Sequence, residues 1–429
     1  MTTSQERALG VFPAGISNGE FDLPADRLVV VARGEGCRLW DTQGKEYLDF
    51  SMAWGSCLVG HARAEIVEAV RRQAPRGSNF AYLNTHALAL AEEIQRAGPA
   101  AERLRFCASG TEANMYCQRL ARAFAGKPKL LKFEGAYHGA NEPGVTSLFP
   151  TRLLDFPEPE LTSAGTPMAK FDLLVAPYND LQATERIVAR HADELAAVIM
   201  EPLQRCTPPQ PGFLEGVRRL CDRHGLLLVF DEVVTGFRLA YGGAQEYYGV
   251  VPDLVAYGKA LGGGYPIGVF GGRADIMEMV EESRKGTDAY VWMASTLGGN
   301  PISTAAANAA LAVFRAPGTY ERLHALGRYL RRSMRDVLRG RRIAAQVIGD
   351  GPIAQVVLSP DPVTDYRSAR KADSGTSRKL MLDLFDRGVF LNPMGTKLYL
   401  SIAHDEGVCD AFCDRLDDAL ATLAPGSAA

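Results

Sequence analysis

The stretch DLVAYGKALGGGYPIGVFGG, residues 253–272, contains a single lysine, Lys259, among seven glycines. An apolar run of the kind found in buried strands precedes this lysine, and a glycine triplet at 262–264 follows it. Lysine is mostly a solvent-facing residue. Lys259 is therefore either an ordinary surface residue beside a flexible loop, or an amine that must reach a group which the bare backbone lets come close.

Short apolar runs like this one recur along the chain and alternate with segments of helical period, such as AEIVEAVRRQA from residue 64. The runs that end at turn residues are RLRFCAS, KLLKFEG, AAVIMEP, LLLVFDEV, DLVAYGK and PIGVFGG. Runs of this length between helices predict buried parallel strands in a three-layer α/β fold. We expect a large domain over 61–314 with a mainly parallel sheet. A smaller α+β domain is predicted over 315–429, with a contribution from residues 1–60.

The composition is that of an ordinary globular protein, with 47% apolar and 23% charged residues. A formal net charge of −3 argues against nucleic-acid and membrane-surface partners, because both require concentrated positive charge. No run approaches the ~18 apolar residues of a membrane span, and the first residues lack the apolar stretch of a secretory signal. The eight cysteines form no C-x-x-C pair. We therefore expect reduced thiols, no metal site and a cytoplasmic protein.

The segment 140–170 has five prolines and no clean period, which is unusual for a loop inside a compact domain. An active-site lid and a plain insertion both remain open interpretations.

The ends of the predicted strands are the places to search for a site, because ligands of open α/β sheets bind beyond the carboxyl ends of the strands. RLRFCAS is followed by Ser109, Gly110 and Thr111, where a helix is predicted to begin. Backbone N–H groups and hydroxyls at a helix start can bind phosphate. Ser and Thr also serve there simply as helix caps, and both interpretations apply.

Three charged residues close neighbouring runs of the same layer. Asp231 ends LLLVFDEV, Glu201 ends AAVIMEP, and Lys259 ends DLVAYGK. A carboxylate after a buried strand needs a cation or a strong donor to stay ionised. Taken alone, Asp231 would be an ordinary ion pair or a cap on the next helix.

Taken together, the phosphate cradle, the aspartate and the lysine match the needs of pyridoxal 5′-phosphate. Its phosphate needs amides and hydroxyls, its pyridine nitrogen needs a carboxylate, and its aldehyde needs a lysine for a Schiff base. A desolvated strand end helps Lys259 to lose its proton and become nucleophilic. Tyr137 and His138, in EGAYHG at another strand end, add an aromatic face for the ring, although an aromatic there is otherwise simply core.

With these residues in place, the chain resembles the class III aminotransferases of fold type I, and within them the glutamate-1-semialdehyde 2,1-aminomutase group. The resemblance covers almost the whole chain, and residues 242–273 are its most specific part. The segments that carry it are FCASGTEAN, FEGAYHG, PYNDL, VFDEVVTGFR, GGAQEYYGVVPDLVAYGKALGGGYPIGVFGGR, STLGGNP, AWGSCLVGH and SIAH.

The resemblance implies a role for each matching residue. Lys259 is implied to be the Schiff-base lysine and Asp231 the partner of the pyridinium nitrogen. Thr296 is implied to reach the phosphate of the neighbouring subunit, which implies an obligate homodimer with shared active sites. The 140–170 segment occupies the position of the family's mobile lid. The other residues predicted to bind the cofactor are Ser109, Gly110, Thr111, Tyr137, His138, Glu201 and Val233.

Two departures from the family pattern concern substrate recognition. Aminomutases of this group carry an arginine in the N-terminal turn, whereas PAGISNGEFDLP here has Glu20 and Phe21. Near the C-terminus, Thr396 and Lys397 stand where the family has a glutamate. We therefore expect an aminotransferase that joins an amino donor to a carbonyl acceptor other than glutamate-1-semialdehyde. The aminomutase itself is the alternative.

Glu20, Trp54 and Arg205 are predicted to line the substrate side of the pocket. Arg205 either replaces the missing carboxylate anchor or is a loop arginine paired with a nearby carboxylate. Glu20 favours a cationic group, such as the amine of an amino sugar or a diamine. A non-α amino acid is a further possible substrate.

Two other classes of protein stay open. A binding protein that kept the fold without catalysis would have no reason to retain both Lys259 and Asp231. A dinucleotide-dependent oxidoreductase would require G-x-G-x-x-G after the first strand, and no such motif stands there.

Overall fold

The structure is a computed structural model that describes residues 2–19, 23–166, 172–392 and 395–422. The chain divides into two compact units. Unit 1 consists of Met1–Ala64, Pro317–Val363 and Arg367–Ala429, and unit 2 consists of Glu65–Ala316 and Thr364–Tyr366.

The strands and helices of the described residues are numbered in chain order. The strands are β1 (Val31–Glu35), β2 (Arg38–Asp41), β3 (Glu46–Asp49), β4 (Arg103–Cys107), β5 (Lys129–Phe133), β6 (Leu173–Ala176), β7 (Leu195–Met200), β8 (Leu227–Glu232), β9 (Leu254–Tyr257), β10 (Gly268–Gly272), β11 (Gln346–Ile348), β12 (Ile353–Val357), β13 (Val389–Phe390) and β14 (Lys397–Tyr399). The helices are α1 (Ser4–Val11), α2 (Met52–Gly55), α3 (Ala64–Gln73), α4 (Thr85–Ala97), α5 (Gly110–Ala125), α6 (Glu142–Val145), α7 (Leu181–His191), α8 (Phe213–His224), α9 (Ala244–Tyr248), α10 (Ala274–Met277), α11 (Pro301–Phe314), α12 (Thr319–Gly340), α13 (Tyr366–Ala369), α14 (Ser374–Asp386) and α15 (Glu406–Thr422).

Unit 2 is built on a seven-stranded sheet in the order β4-β10-β9-β8-β7-β5-β6. All its strands run parallel except β10, which is antiparallel to both β4 and β9. The sheet confirms the predicted α/β fold with a mainly parallel sheet. The expectation that PIGVFGG would form another parallel strand was wrong. Only residues 258–267 separate β9 from β10, and a parallel neighbour needs a crossover of about a dozen residues or more.

Helices cover both faces of this sheet and make the three layers. Every residue of β7 is buried, as expected for a strand with helices on both sides. Successive residues of a strand point to opposite faces. Leu130 belongs to the core cluster that contains α5 and α10, whereas Leu131 belongs to the cluster that contains α7 and α8.

Unit 1 contains two smaller sheets, in the orders β1-β2-β3-β13 and β11-β12-β14. The first joins distant parts of the chain, because β13 pairs in parallel with β3 and places Val389 opposite Leu48. The second is antiparallel throughout. Arg341, the residue directly after α12, forms an ion pair with Asp417 of α15. Among the described helices of the whole chain, none is both long and apolar enough to cross a membrane.

The segment predicted as a lid or an insertion is tied together by its own hydrogen bonds. The backbone N–H of Ser147 donates to the carbonyl of Glu160, and the N–H of Glu160 donates to Ser147 Oγ, both at 2.9 Å. Glu160 is buried, whereas Phe149 between the two is exposed. Residues 167–171 lie outside the described part. A role for this segment as a lid stays a prediction.

Candidate active site

Asp231 lies at the carboxyl end of β8 and is buried, with 5% of its surface exposed. Its Oδ2 accepts a hydrogen bond from Asn114 Nδ2 and lies 2.9 Å from His138 Nδ1. Its Oδ1 accepts the backbone N–H of Val233 at 3.1 Å. These contacts stabilise a negative charge on the carboxylate at this edge of the sheet.

His138 is fully buried against Asp231. Because a carboxylate oxygen only accepts, Nδ1 of His138 is the donor in the 2.9 Å contact with Oδ2 of Asp231. The three groups that contact the carboxylate are therefore all hydrogen-bond donors.

Asn114 is a site residue that the sequence analysis missed. It lies on α5 and is buried beside Asp231. A signal was present, since Asn114 follows Gly110 by one helical turn and interrupts a buried face of small and apolar residues. An amide on such a face requires a partner, and the partner here is Asp231.

Lys259 follows the strand next to Asp231. Strand β9 pairs with β8 so that Ala256 is opposite Asp231, and Lys259 stands three residues after Ala256. The backbone of Lys259 has φ +44°, a left-handed conformation that costs a non-glycine residue ~1–3 kcal/mol. Gly263 continues the turn with φ +58°. The backbone therefore turns sharply here, and the turn begins at the lysine itself.

The segments that follow β4, β8 and β9 lie close together. They meet at Gly110, Val233 and Gly258. A Cβ atom built on Gly110 would lie 2.7 Å from Cγ1 of Val233, closer than real contacts allow. A Cβ on Gly258 would lie 3.4 Å from the same methyl group and 3.6 Å from Cα of Gly110. Only glycine therefore fits at 110 without a shift of Val233.

The N-terminus of α5 offers hydrogen-bond donors at this meeting point. Ser109 caps the helix, because its Oγ accepts the N–H of Glu112 at 3.2 Å. The first amide groups of a helix have no partner within it. The N–H groups of Gly110 and Thr111 have no acceptor within the described residues. The cap and the phosphate cradle are compatible, since they use different groups.

The segment after β5 closes on the same helix start. Thr111 Oγ1 accepts the backbone N–H of Ala140 at 3.3 Å. A Cβ on Gly139 would lie 2.8 Å from Cα of Thr111, so this close approach also depends on glycine. The segment carries the half-buried Tyr137 and the buried His138.

Glu201 uses both carboxylate oxygens on backbone amides. Oε1 accepts the N–H of Tyr137 at 2.9 Å, and Oε2 accepts the N–H of Arg205 at 3.1 Å. Glu201 therefore holds the two loops that carry Tyr137 and Arg205. A direct contact between Glu201 and a cofactor stays a prediction. Arg205 has φ +58°, and its guanidinium carbon lies 6.0 Å from the ring centre of Phe149.

Thr296, Trp54 and Glu20 complete the set of predicted residues. Thr296 is exposed in the loop before α11, and its carbonyl accepts Asn79 Nδ2 at 3.1 Å. Trp54 belongs to unit 1, where it and the two residues before it all have positive φ. Glu20 lies outside the described residues.

These residues fit pyridoxal phosphate on structural grounds. The amides of Gly110 and Thr111 at the start of α5, beside contacts that only glycine allows, suit a phosphate. Asp231, hydrogen-bonded at the end of β8, suits a pyridinium nitrogen. Lys259 follows β9, the strand paired with β8.

Comparison with known proteins identifies the family of this chain. The family model described as Aminotransferase class-III matches residues 23–420. This chain belongs to the class III aminotransferases. This chain is 38% identical to a glutamate-1-semialdehyde 2,1-aminomutase of Thermomicrobium roseum. The alignment covers 97% of this chain and 96% of that relative. Other relatives with that name are 35–40% identical.

Solved structures extend the comparison to the fold and the cofactor. An ω-transaminase from Sphaerobacter thermophilus superimposes with a TM-score of 0.90 at 34% identity, covering 97% of this chain and 96% of that one. A transaminase with PLP bound has a TM-score of 0.86 at 29% identity, with 97% of each chain covered. The class III aminotransferase has the fold-type I architecture and uses pyridoxal 5′-phosphate, which confirms the predicted family, fold, enzyme class and cofactor.

Proposed function

We propose that this class III aminotransferase transfers an amino group from an amino donor to a carbonyl acceptor other than glutamate-1-semialdehyde, with Lys259 and Asp231 as its catalytic residues. The pairing of β8 with β9 carries the assignment of these two residues. It brings a buried aspartate, held by the hydrogen-bond donors Asn114 and His138, beside the strand that leads to Lys259.

Bound pyridoxal phosphate supplies an electrophilic carbon and an electron-withdrawing ring. Asp231 keeps the proton on the ring nitrogen through its negative charge. The amine of Lys259 acts as general base and acid and moves the proton at the substrate carbon. The amides of Gly110 and Thr111 would hold the phosphate, and Val233 and Tyr137 would contact the ring.

We also propose a homodimer in which Thr296 serves the partner's site. The occupant of the surface around Thr296 is a second copy of this chain. Large apolar side chains are exposed there on two segments that Asn79 ties together through the carbonyl of Thr296. They are Phe80, Tyr82, Leu83, Trp292 and Leu297. So many exposed apolar groups on one surface are typical of an interface.

The substrate proposal depends on the missing arginine in residues 13–24. A bidentate carboxylate anchor is difficult to replace with another group. Thr396 and Lys397, at the position of the family glutamate, are both buried within unit 1. The aminomutase function remains the second candidate, because the relatives at 35–40% identity carry that name.

A panel of amino donors, followed by the visible absorption of the bound cofactor, tests the substrate proposal. Glutamate-1-semialdehyde is included in the panel. Its efficient conversion to 5-aminolevulinate would establish the second candidate instead. With the true substrate, Arg205→Ala and Glu20→Ala are each expected to raise KM and leave the cofactor spectrum unchanged.

Lys259→Ala tests the catalytic assignment. The variant is expected to bind pyridoxal phosphate through the phosphate and ring contacts, without a covalent link. Borohydride then fixes no cofactor to the protein, whereas wild type and the exposed control Lys285→Ala are both labelled. A reduced adduct on another lysine, found by mass spectrometry, would show that the assignment is wrong.

A further inference from the structure

Lys132 is a fully buried lysine in β5 that the catalytic assignment does not use. Its ammonium group lies among backbone carbonyls of the segment that follows the strand. Nζ is 2.9 Å from the oxygen of Ala136, 3.0 Å from that of Gly144 and 2.7 Å from that of Thr146. The oxygen of Pro143 lies further away, at 3.4 Å.

The number of donors matches the number of close acceptors. An ammonium has three N–H donors, and three carbonyl oxygens lie within 3.0 Å. A neutral amine has only two N–H donors and could not donate to all three carbonyls. Burial lowers the pKa of Lys132 to about 7, Glu201 and Asp231 oppose that shift, and Arg205 adds to it. The three carbonyls favour the charged form that burial disfavours.

The segment that Lys132 holds, residues 136–146, forms one side of the cofactor site. It carries Tyr137, whose amide is held by Glu201, and His138, whose ring donates to Asp231. The carbonyl of Gly144 also accepts the N–H of His138 at 3.2 Å, so the segment folds back on itself around the lysine. Without Lys132, the carbonyls of Ala136 and Thr146 would lose this donor and that of Gly144 would keep the N–H of His138. The turn would then have to open for the buried oxygens to find other donors.

We propose that Lys132 is a positioning residue, which fixes the 136–146 segment so that Tyr137 and His138 stand where pyridoxal phosphate binds. The proposal rests on the proposed roles of Tyr137 and Asp231. It adds a residue that does not touch the cofactor and acts through the backbone of the residues that do. Glu201, directly after β7, holds the same segment through the amide of Tyr137. Two oppositely charged side chains, one in β5 and one just beyond the neighbouring β7, therefore fix it together.

The test compares Lys132→Met with Lys127→Met. Lys127 is half-buried and donates to one carbonyl, that of Ala192, away from the segment, so the control loses the same functional group. Apoprotein is titrated with pyridoxal phosphate, and hydrogen exchange of the peptide 134–147 is measured by mass spectrometry. Lys132→Met is expected to raise the Kd of the cofactor about tenfold or more and to speed exchange in that peptide, while Lys127→Met changes neither.

The outcomes separate this proposal from the proposed function. If wild type binds the cofactor on Lys259, and Lys132→Met keeps both its Kd and its exchange rate in 134–147, the positioning role is refuted. Faster exchange throughout the sheet would also refute it, since that indicates a general loss of stability. If Lys132→Met does not fold, Lys132→Gln retains two donors and is expected to show an intermediate Kd. A wild-type Kd in that variant would count against the proposal.

Discussion

Nδ1 of His138 lies 2.9 Å from Oδ2 of Asp231, and the other ring nitrogen of His138 is buried without a partner among the described residues. The histidine is the donor in this contact, because a carboxylate oxygen only accepts. A negative charge on Asp231 is buried, since only 5% of the residue is exposed. Such a charge interacts strongly with a cationic ring, because little solvent screens it.

Asp231→Asn is expected to lower kcat by about 10²-fold or more. The amide has no charge, and it can present an oxygen to only one side of the site. One of the contacts to His138 or Val233 is then lost whichever way the amide is turned. Steady-state kinetics measure the effect. Asp222→Asn, at a side chain that is 62% exposed, is the control and should retain wild-type kcat. An unchanged kcat in Asp231→Asn would remove the aspartate from the mechanism.

Gly110→Ala is expected to weaken cofactor binding, because the new methyl group would lie 2.7 Å from Val233. The methyl must displace either the valine or the start of α5, and both are proposed to contact the cofactor. Titration of apoprotein gives the Kd. The same change at Gly340, where a Cβ meets no atom within 4 Å, should have no effect. The double variant Gly110→Ala/Val233→Ala should recover part of the affinity. No recovery would show that the valine is not the obstacle.

Thr296→Ala is expected to reduce cofactor retention only in the partner's site. Mixing Lys259→Ala chains with Thr296→Ala chains puts both lesions in one site of the mixed dimer and leaves the other site intact. Recovery of a fraction of wild-type activity on mixing is therefore expected. If each variant is inactive alone and mixing restores nothing, Thr296 acts within its own chain.

The stability of unit 1 is expected to depend on pH through His61. Burial opposes a charge on this ring, but hydrogen bonds to Asp49, at 2.7 Å, and to Cys57 outweigh it and raise the pKa of His61 from 6.5 to about 10. Because the folded state binds the proton more tightly, the stabilisation is complete below pH 6.5 and is lost as the pH rises through about 10. The Tm of wild type should therefore fall towards that of His61→Asn between these values. A constant difference in Tm across this range would contradict the pairing.

The sequence predicted the strand-end residues because the pattern of short apolar runs shows where buried strands stop. Asp231 and Lys259 could be placed in this way, since the edge of a parallel sheet gathers such ends. The apolar run of β10 does not show the direction of the strand. The short connection between β9 and β10 does indicate an antiparallel strand, and the prediction did not take it into account.

Two residues of the site were missed for different reasons. Asn114 was hidden in a helix, where a polar residue normally faces solvent. Lys132 stands in KLLKFEG, where a lysine between apolar residues suggests a strand with one wet face. The structure buries that strand on both sides, and the carbonyls that satisfy Lys132 belong to a turn whose shape no local pattern encodes.

The parallel pairing of β3 with β13 has a consequence for synthesis on the ribosome. Leu48 emerges early but meets Val389 only after most of the chain has been made. Meanwhile the seven strands of unit 2, all between residues 103 and 272, can already pair with one another. We expect unit 2 to fold first during translation. Until β13 is synthesised, one edge of β3 stays unpaired, and a chaperone would have to shield this edge from other nascent chains.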